Sequence, residues 1–168
     1  MEEGTPTTKQ YHIAQVNIGK ILGPMDGPVM HEFFINLEPI NQLAEQSDGF
    51  VWRLKDDQDN ATNIKVFEDD KILINMSVWE TVDDLFKFTY QTQHADFLKR
   101  RREWFEKLKE MYMVLWYVPA GTIPTPQDAI KKLQYLTENG DTPNAFGFRN
   151  RFSVEDFEKF QVEKESKL

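Results

Sequence analysis

A chain of 168 residues, 40% hydrophobic and 29% charged, is long enough to close a real core and ordinary in composition for a folded domain. Its formal net charge of -8 disfavours nucleic acid as a partner, because phosphate recognition needs clustered cations that displace counterions. The absence of cysteine excludes disulfides, thiolate nucleophiles and cysteine-based zinc sites.

The first ten residues, MEEGTPTTKQ, are polar and acidic with no apolar segment, so they read as a disordered tail and not as a secretory signal. No apolar run approaches the roughly 20 residues that span a bilayer, and a soluble cytoplasmic protein is expected. YHIAQVNI (Tyr11 to Ile18) alternates and is rich in β-formers, which predicts a first strand. After the loop LGPMDGP, residues Met30, Phe33, Phe34, Leu37, Ile40 and Ala44 recur at spacings of three and four, an amphipathic helix. Pro28 suits its first turn, whereas Pro39 should kink the helix or split it in two.

FVWRLK (Phe50 to Lys55) predicts a second strand, DDQDNAT a polar turn and NIKVF the return. KILINMSVW (Lys71 to Trp79) is the clearest strand. Thr81, with Asp84 three residues on, caps a helix that runs towards Leu108, with a break near TQH where Thr92 could cap a second segment. YMVLWYV (Tyr112 to Val118) closes the series. The order β-α-β-β-α-β predicts an α+β, ferredoxin-like sandwich over residues 11–122, an antiparallel sheet with both helices on one face. Residues 123–168 read as a C-terminal extension packed on the same domain: a helix over Gln127 to Glu138, and a charged ending that either forms a helix or frays.

Alternation assigns Ile72, Ile74, Met76 and Val78 to the helices, leaving Leu73, Asn75, Ser77 and Trp79 on the other face. Strand one divides into Ala14, Val16 and Ile18 against Ile13, Gln15 and Asn17, and strand two into Phe50, Trp52 and Leu54 against Val51 and Arg53. The second face mixes amides, a hydroxyl, a guanidinium and an indole with aliphatics, a lining suited to a small-molecule pocket. The plainer account is an amphipathic sheet face whose polar groups pair across strands. If the face were solvated it would be an unexplained apolar patch, so a second copy of the chain is expected to cover it.

QTQHADFLKRRREWF (Gln91 to Phe105) places three arginines in a row. Helical neighbours stand 100° apart, so the three cannot share a face. His94, Phe97, Leu98, Arg101, Trp104, Phe105 and Leu108 form one stripe that is apolar except for His94 and Arg101. Arg100 and Arg102 fall to its flanks, near Asp96, Glu103 and Glu106. Arg101 must therefore snorkel, pair with a carboxylate or hold an anion. His94, in the first turn of a segment that starts near Thr92, would be kept neutral by the helix dipole and so serve as a general base or a haem ligand. A satisfied structural histidine is the plain alternative.

Other constellations are weak. Asp57, Asp59 and Glu68 stand at the first, third and twelfth places of a calcium-type loop, but Ala61 and Thr62 occupy its fifth and sixth. His12, His31 and His94 have no metal-binding spacing, and neither a nucleophile elbow nor a phosphate-binding loop is present.

The blocks GFVWRL, INMSVWE, HADFLKRRREWF and VLWYVPAG, followed by PTPQDAIKKLQYL and AFGFRNRF, resemble the signature blocks of a bacterial family of unknown function. That family belongs to the dimeric α/β-barrel superfamily, which also holds the antibiotic-biosynthesis monooxygenases. The resemblance covers about Tyr11 to Phe152 and implies a ferredoxin-like protomer that dimerises sheet to sheet, with the mixed face inside the barrel. Relatives include cofactor-free oxygenases, haem-degrading and haem-dependent enzymes, isomerases and proteins with no known activity, so the resemblance does not choose a chemistry. The matching blocks map onto Trp52, Arg53, Asn75, Ser77, Trp79, His94, Arg101, Trp104 and Trp116, and the family supplies no accepted catalytic assignment for them.

The candidates are then His94 as proton carrier and Arg101 as anion stabiliser, with Arg53, Asn75, Ser77, Trp79, Trp104, Gln15 and Asn17 as ligand contacts. An enzyme of monooxygenase-like or isomerase-like type, needing no cofactor or metal and acting on a small organic molecule as a homodimer, is the first reading. A non-catalytic binding module and a haem protein ligated by His94 are the alternatives.

Overall fold

Alternating β-branched and aromatic side chains produce four strands, β1 (Tyr11–Lys20), β2 (Phe50–Arg53), β3 (Ile72–Trp79) and β4 (Met113–Pro119). They form one sheet in the order β2-β3-β1-β4 with every neighbouring pair antiparallel. Five α-helices accompany them among the described residues: α1 (His31–Glu45), α2 (Val82–Gln91), α3 (His94–Lys99), α4 (Pro126–Asn139) and α5 (Val154–Glu165). This computed structural model describes residues 10–56, 59–62, 64 and 66–167. Residues 1–9 of the expected tail, Asp57 of the calcium-like pattern and two residues of the NIKVF return lie outside them. No helix among the described residues is long and apolar enough to cross a membrane.

The sheet is covered on both faces by its own chain. One face carries Ala14, Val16, Ile74, Met76, Val78, Val114, Trp116 and Val118, packed against Ala129, Leu133 and Leu136 of α4. The other carries Ile13, Trp79, Leu115 and Tyr117, packed against Ala44 of α1, Leu85 and Phe88 of α2, and Phe157 of α5. The face assignment expected from the sequence is therefore reversed. Alternation separates the two faces of β1 and β3 correctly, but it does not say which helix lies on which, and α1 to α3 lie over the mixed face. The apolar face, expected to hold those helices, holds α4 instead. α1 to α3 cover much of the mixed face, and Asn75 on it stays exposed.

A bulge between Phe50 and Trp52 corrects strand two as well. Phe50 pairs with Trp79, Trp52 with Val78 and Arg53 with Ser77, so Phe50 and Arg53 share the α1 side while Val51 is exposed. One extra residue inverts the alternation beyond it. Pro39 does not divide α1, which runs unbroken from His31 to Glu45. Pro39 and Ile35 are both exposed, so the carbonyl that loses its donor faces water. The helix from Thr81, by contrast, is interrupted: α2 ends at Gln91, α3 spans only His94–Lys99, and a 3-10 turn follows at Arg101–Glu103.

Three helices start at side-chain caps. Thr81 accepts from the backbone amide of Asp84, and Thr125/Asp128 and Ser153/Asp156 form complete reciprocal boxes at α4 and α5. Caps of this kind contribute about 1 kcal/mol each. The last box decides that the charged ending folds as a helix. Between α4 and α5 the chain passes the β4 edge, where Leu115 and Phe146 exchange backbone hydrogen bonds of 2.7 and 3.0 Å. The C-terminal segment thus joins the core on both faces.

Candidate functional site

A cavity of about 200 Å³ lies between the mixed sheet face, α1 and α3. Its floor is β1 and β3, where Gln15 stands opposite Ser77 and Asn17 opposite Asn75. One wall is α1, through Phe33, Asn36, Leu37, Ile40 and Asn41; the facing wall is His94, Phe97, Leu98 and Arg101, with Trp104 and Phe105 beyond them. Residues 60–62 close part of the rim.

The break at Thr92 builds the reactive corner. Its hydroxyl donates to the Phe88 carbonyl at 2.6 Å and accepts the His94 amide at 3.2 Å, tying the end of α2 to the start of α3. The last turn of any helix leaves carbonyls without intrahelical donors. One of these, on Thr89, faces His94 Nδ1 at 3.0 Å. A carbonyl only accepts, so Nδ1 carries the proton and Nε2 keeps its lone pair. Burial pushes the His94 pKa down, and the Thr89 contact opposes this more weakly. The imidazole is thus neutral mainly because it is desolvated, not through the helix dipole that the sequence suggested. Its ring sits 4.9 Å from that of Phe88, which stacks on Trp79 at 5.1 Å, and Phe50 meets Trp79 edge-on at 5.4 Å.

The arginine run divides in three. Arg100 holds Glu103 at 2.7 Å, also binds Glu32 of α1, and lies over Trp104. Arg102 is exposed. Arg101 turns into the cavity, its guanidinium 4.1 Å from the centre of the Tyr112 ring. Its Nε is buried without a hydrogen-bond partner, and no carboxylate pairs with it among the described residues. Desolvation lowers its pKa, yet a guanidinium stays charged in proteins. Arg53 also reaches the wall, but its Nε donates to Glu45 at 2.8 Å and its Nη2 meets Asp59 at 3.0 Å. Its charge is already answered.

The amides and hydroxyl of the floor form a network. Gln15 Nε2 donates to Asn75 Oδ1 at 2.8 Å and to Ser77 Oγ at 2.9 Å, and Asn17 Nδ2 donates to Gln15 Oε1 at 3.2 Å and Asn75 Oδ1 at 3.3 Å. The indole of Trp79 donates to Ser77 Oγ at 2.9 Å. Cross-strand pairing and cavity lining thus coexist. Of the nine residues singled out from the sequence, the structure brings His94, Arg101, Arg53, Asn17, Asn75, Ser77, Trp79 and Trp104 to the cavity. Gln15 is buried behind the lining, where it orients the others. The α1 wall, including Asn36 and Asn41, was not anticipated. Its signal was two amides interleaved with the apolar stripe of that helix. Among the described residues no group of three or more His, Asp or Glu side chains is placed to hold a metal ion.

Fold and site together define an α+β protein with a four-stranded antiparallel sheet and a partly polar cavity on one of its faces. The chain belongs to the family described as Domain of unknown function (DUF3291), whose model matches residues 12–162. No curated protein and no solved structure matches it.

Proposed function

We propose that the cavity binds a small, partly aromatic organic anion, that Arg101 holds its charge, and that His94 acts on it as a general base. One observation carries this reading. A neutral imidazole whose Nε2 keeps its lone pair and a half-buried arginine, its Nε unpartnered and no carboxylate paired with it among the described residues, line the same cavity. A base and an electrostatic stabiliser are the minimum for forming an enolate or phenolate. Proton removal is the first step of both an isomerisation and a cofactor-independent oxygenation, the two reactions anticipated from the sequence.

The strand order β2-β3-β1-β4, with α1 and α2 on one face, supports a ferredoxin-like protomer, in line with the resemblance. A barrel formed with a twin would have to seat a second sheet where α4 already packs against Val16 and Met76. The reading proposed here is complete within one chain. At about 200 Å³ the cavity lies below the common ligand range of about 300–1,000 Å³. It suits a molecule of one or two rings better than a haem macrocycle.

Two measurements test the reading. By titration calorimetry, 2-naphthoate should bind at least tenfold more tightly than neutral 2-naphthamide, and Arg101→Met should remove the difference. That corresponds to about 1.5–3 kcal/mol for a hydrogen bond to a charged group. In deuterium oxide the protein should accelerate exchange of the acidic C–H of 2-tetralone, followed by NMR, and His94→Gln should abolish the acceleration. Equal binding of acid and amide would remove Arg101 from the reading, and exchange at the buffer rate would leave only a binding module.

A further inference from the structure

A serine hydroxyl ordinarily donates or accepts as its neighbour requires. Ser77 has lost that freedom. Its oxygen accepts from Gln15 Nε2 and from Trp79 Nε1, each at 2.9 Å, so both lone pairs are engaged. Only its hydrogen is left, and it has no acceptor among the described residues. Ser77 is 8% exposed and lines the cavity. Two residues along the same strand face, the Oδ1 of Asn75 accepts from Gln15 and Asn17, which leaves its amide hydrogens to donate. Asn75 is exposed, so water can answer its donors; buried Ser77 is the demanding group.

We infer that Ser77, fixed as a donor by Gln15 and Trp79, selects an occupant that sets a carbonyl or enolate oxygen against it, so that the cavity takes an aromatic or conjugated oxo acid. The oxo oxygen meets Ser77 and the carboxylate meets Arg101. This rests on the anion-binding reading above and specifies its ligand class. An enolate formed by proton loss to His94 would place its growing charge on the oxygen that Ser77 contacts. Gln15, buried and outside the lining, is a positioning residue: without it Ser77 regains a lone pair and can accept as readily as donate.

The three acetylbenzoates and the three matching isopropylbenzoates test this by titration calorimetry. The members of each pair are similar in shape and differ in the oxo oxygen. At least one acetylbenzoate should bind about tenfold more tightly than its partner, as one buried hydrogen bond allows. Ser77→Ala and Gln15→Leu should each shrink that ratio, Ser77→Thr should keep it, and Arg101→Met should weaken both members alike. The wild-type ratios decide by themselves if Ser77→Ala does not fold. Ratios near one for all three pairs, with binding still dependent on Arg101, would overturn the inference and leave the anion-binding reading standing. No Arg101-dependent binding of any of the six would overturn both.

Discussion

Arg53 and Arg101 both reach the cavity, and their differing company separates their roles. Arg53 is 7% exposed and bonded to Glu45 and Asp59, so an anion could reach its guanidinium only by displacing those carboxylates. Arg101 has only the Tyr112 ring beneath it, and an anion can reach it without first displacing a partner. His94 makes a prediction of its own. Burial holds its folded-state pKa below the ordinary 6.5. Below that pH the unfolded chain takes up a proton that the folded chain refuses, so stability is lost as pH falls from about 6.5 towards the folded value. Urea midpoints measured from pH 7.5 to 5.5 should fall more steeply for the wild type than for His94→Gln. Parallel slopes would mean that His94 titrates in the folded protein as it does in the unfolded chain.

At the scale of elements, the stripe from His94 to Leu108 was legible because spacings of three and four survive a short break. Six of its seven members line the cavity, although α3 ends at Lys99 and the rest follow through a 3-10 turn. The two later capping boxes repeat the Thr81 pattern and could have been read in the same way. The Phe50–Trp52 bulge could not, since no residue in FVWR announces it. Gly19 on β1 shows why close packing is also silent in sequence. A Cβ placed there would stand 2.5 Å from Phe105 Cδ1. Gly19→Ala should push Phe105 aside, costing about 1–3 kcal/mol and loosening the cavity wall to which that ring belongs. Denaturant unfolding measures the first effect, and weaker naphthoate binding measures the second. Unchanged values in both would show that the ring turns away freely.

For the whole molecule, the segment after Pro124 is structural. α4 seals one sheet face, Phe146 pairs along the β4 edge, and Phe157 of α5 sits against Tyr11 and Tyr117 on the other. A chain ending at Pro124 would expose Ala14, Val16, Met76 and Val78, which are at most 1% accessible in the full chain. It should therefore lose its cooperative thermal transition and aggregate. A truncated chain that unfolds cooperatively near the full-length midpoint would show that α4 and α5 are dispensable.

The sequence by itself determined most of the elements and the two sets of side chains that β1 and β3 present, because periods of 2 and 3.6 are local properties of the backbone. It also marked His94 and Arg101 as the polar members of an apolar stripe. Only the tertiary structure decided which sheet face each helix covers, that α1 supplies the opposite wall, and that Arg53 is neutralised while Arg101 is not. Those outcomes depend on contacts between residues distant in sequence, such as Gln15 with Ser77 or Arg100 with Glu32, which no local spacing encodes.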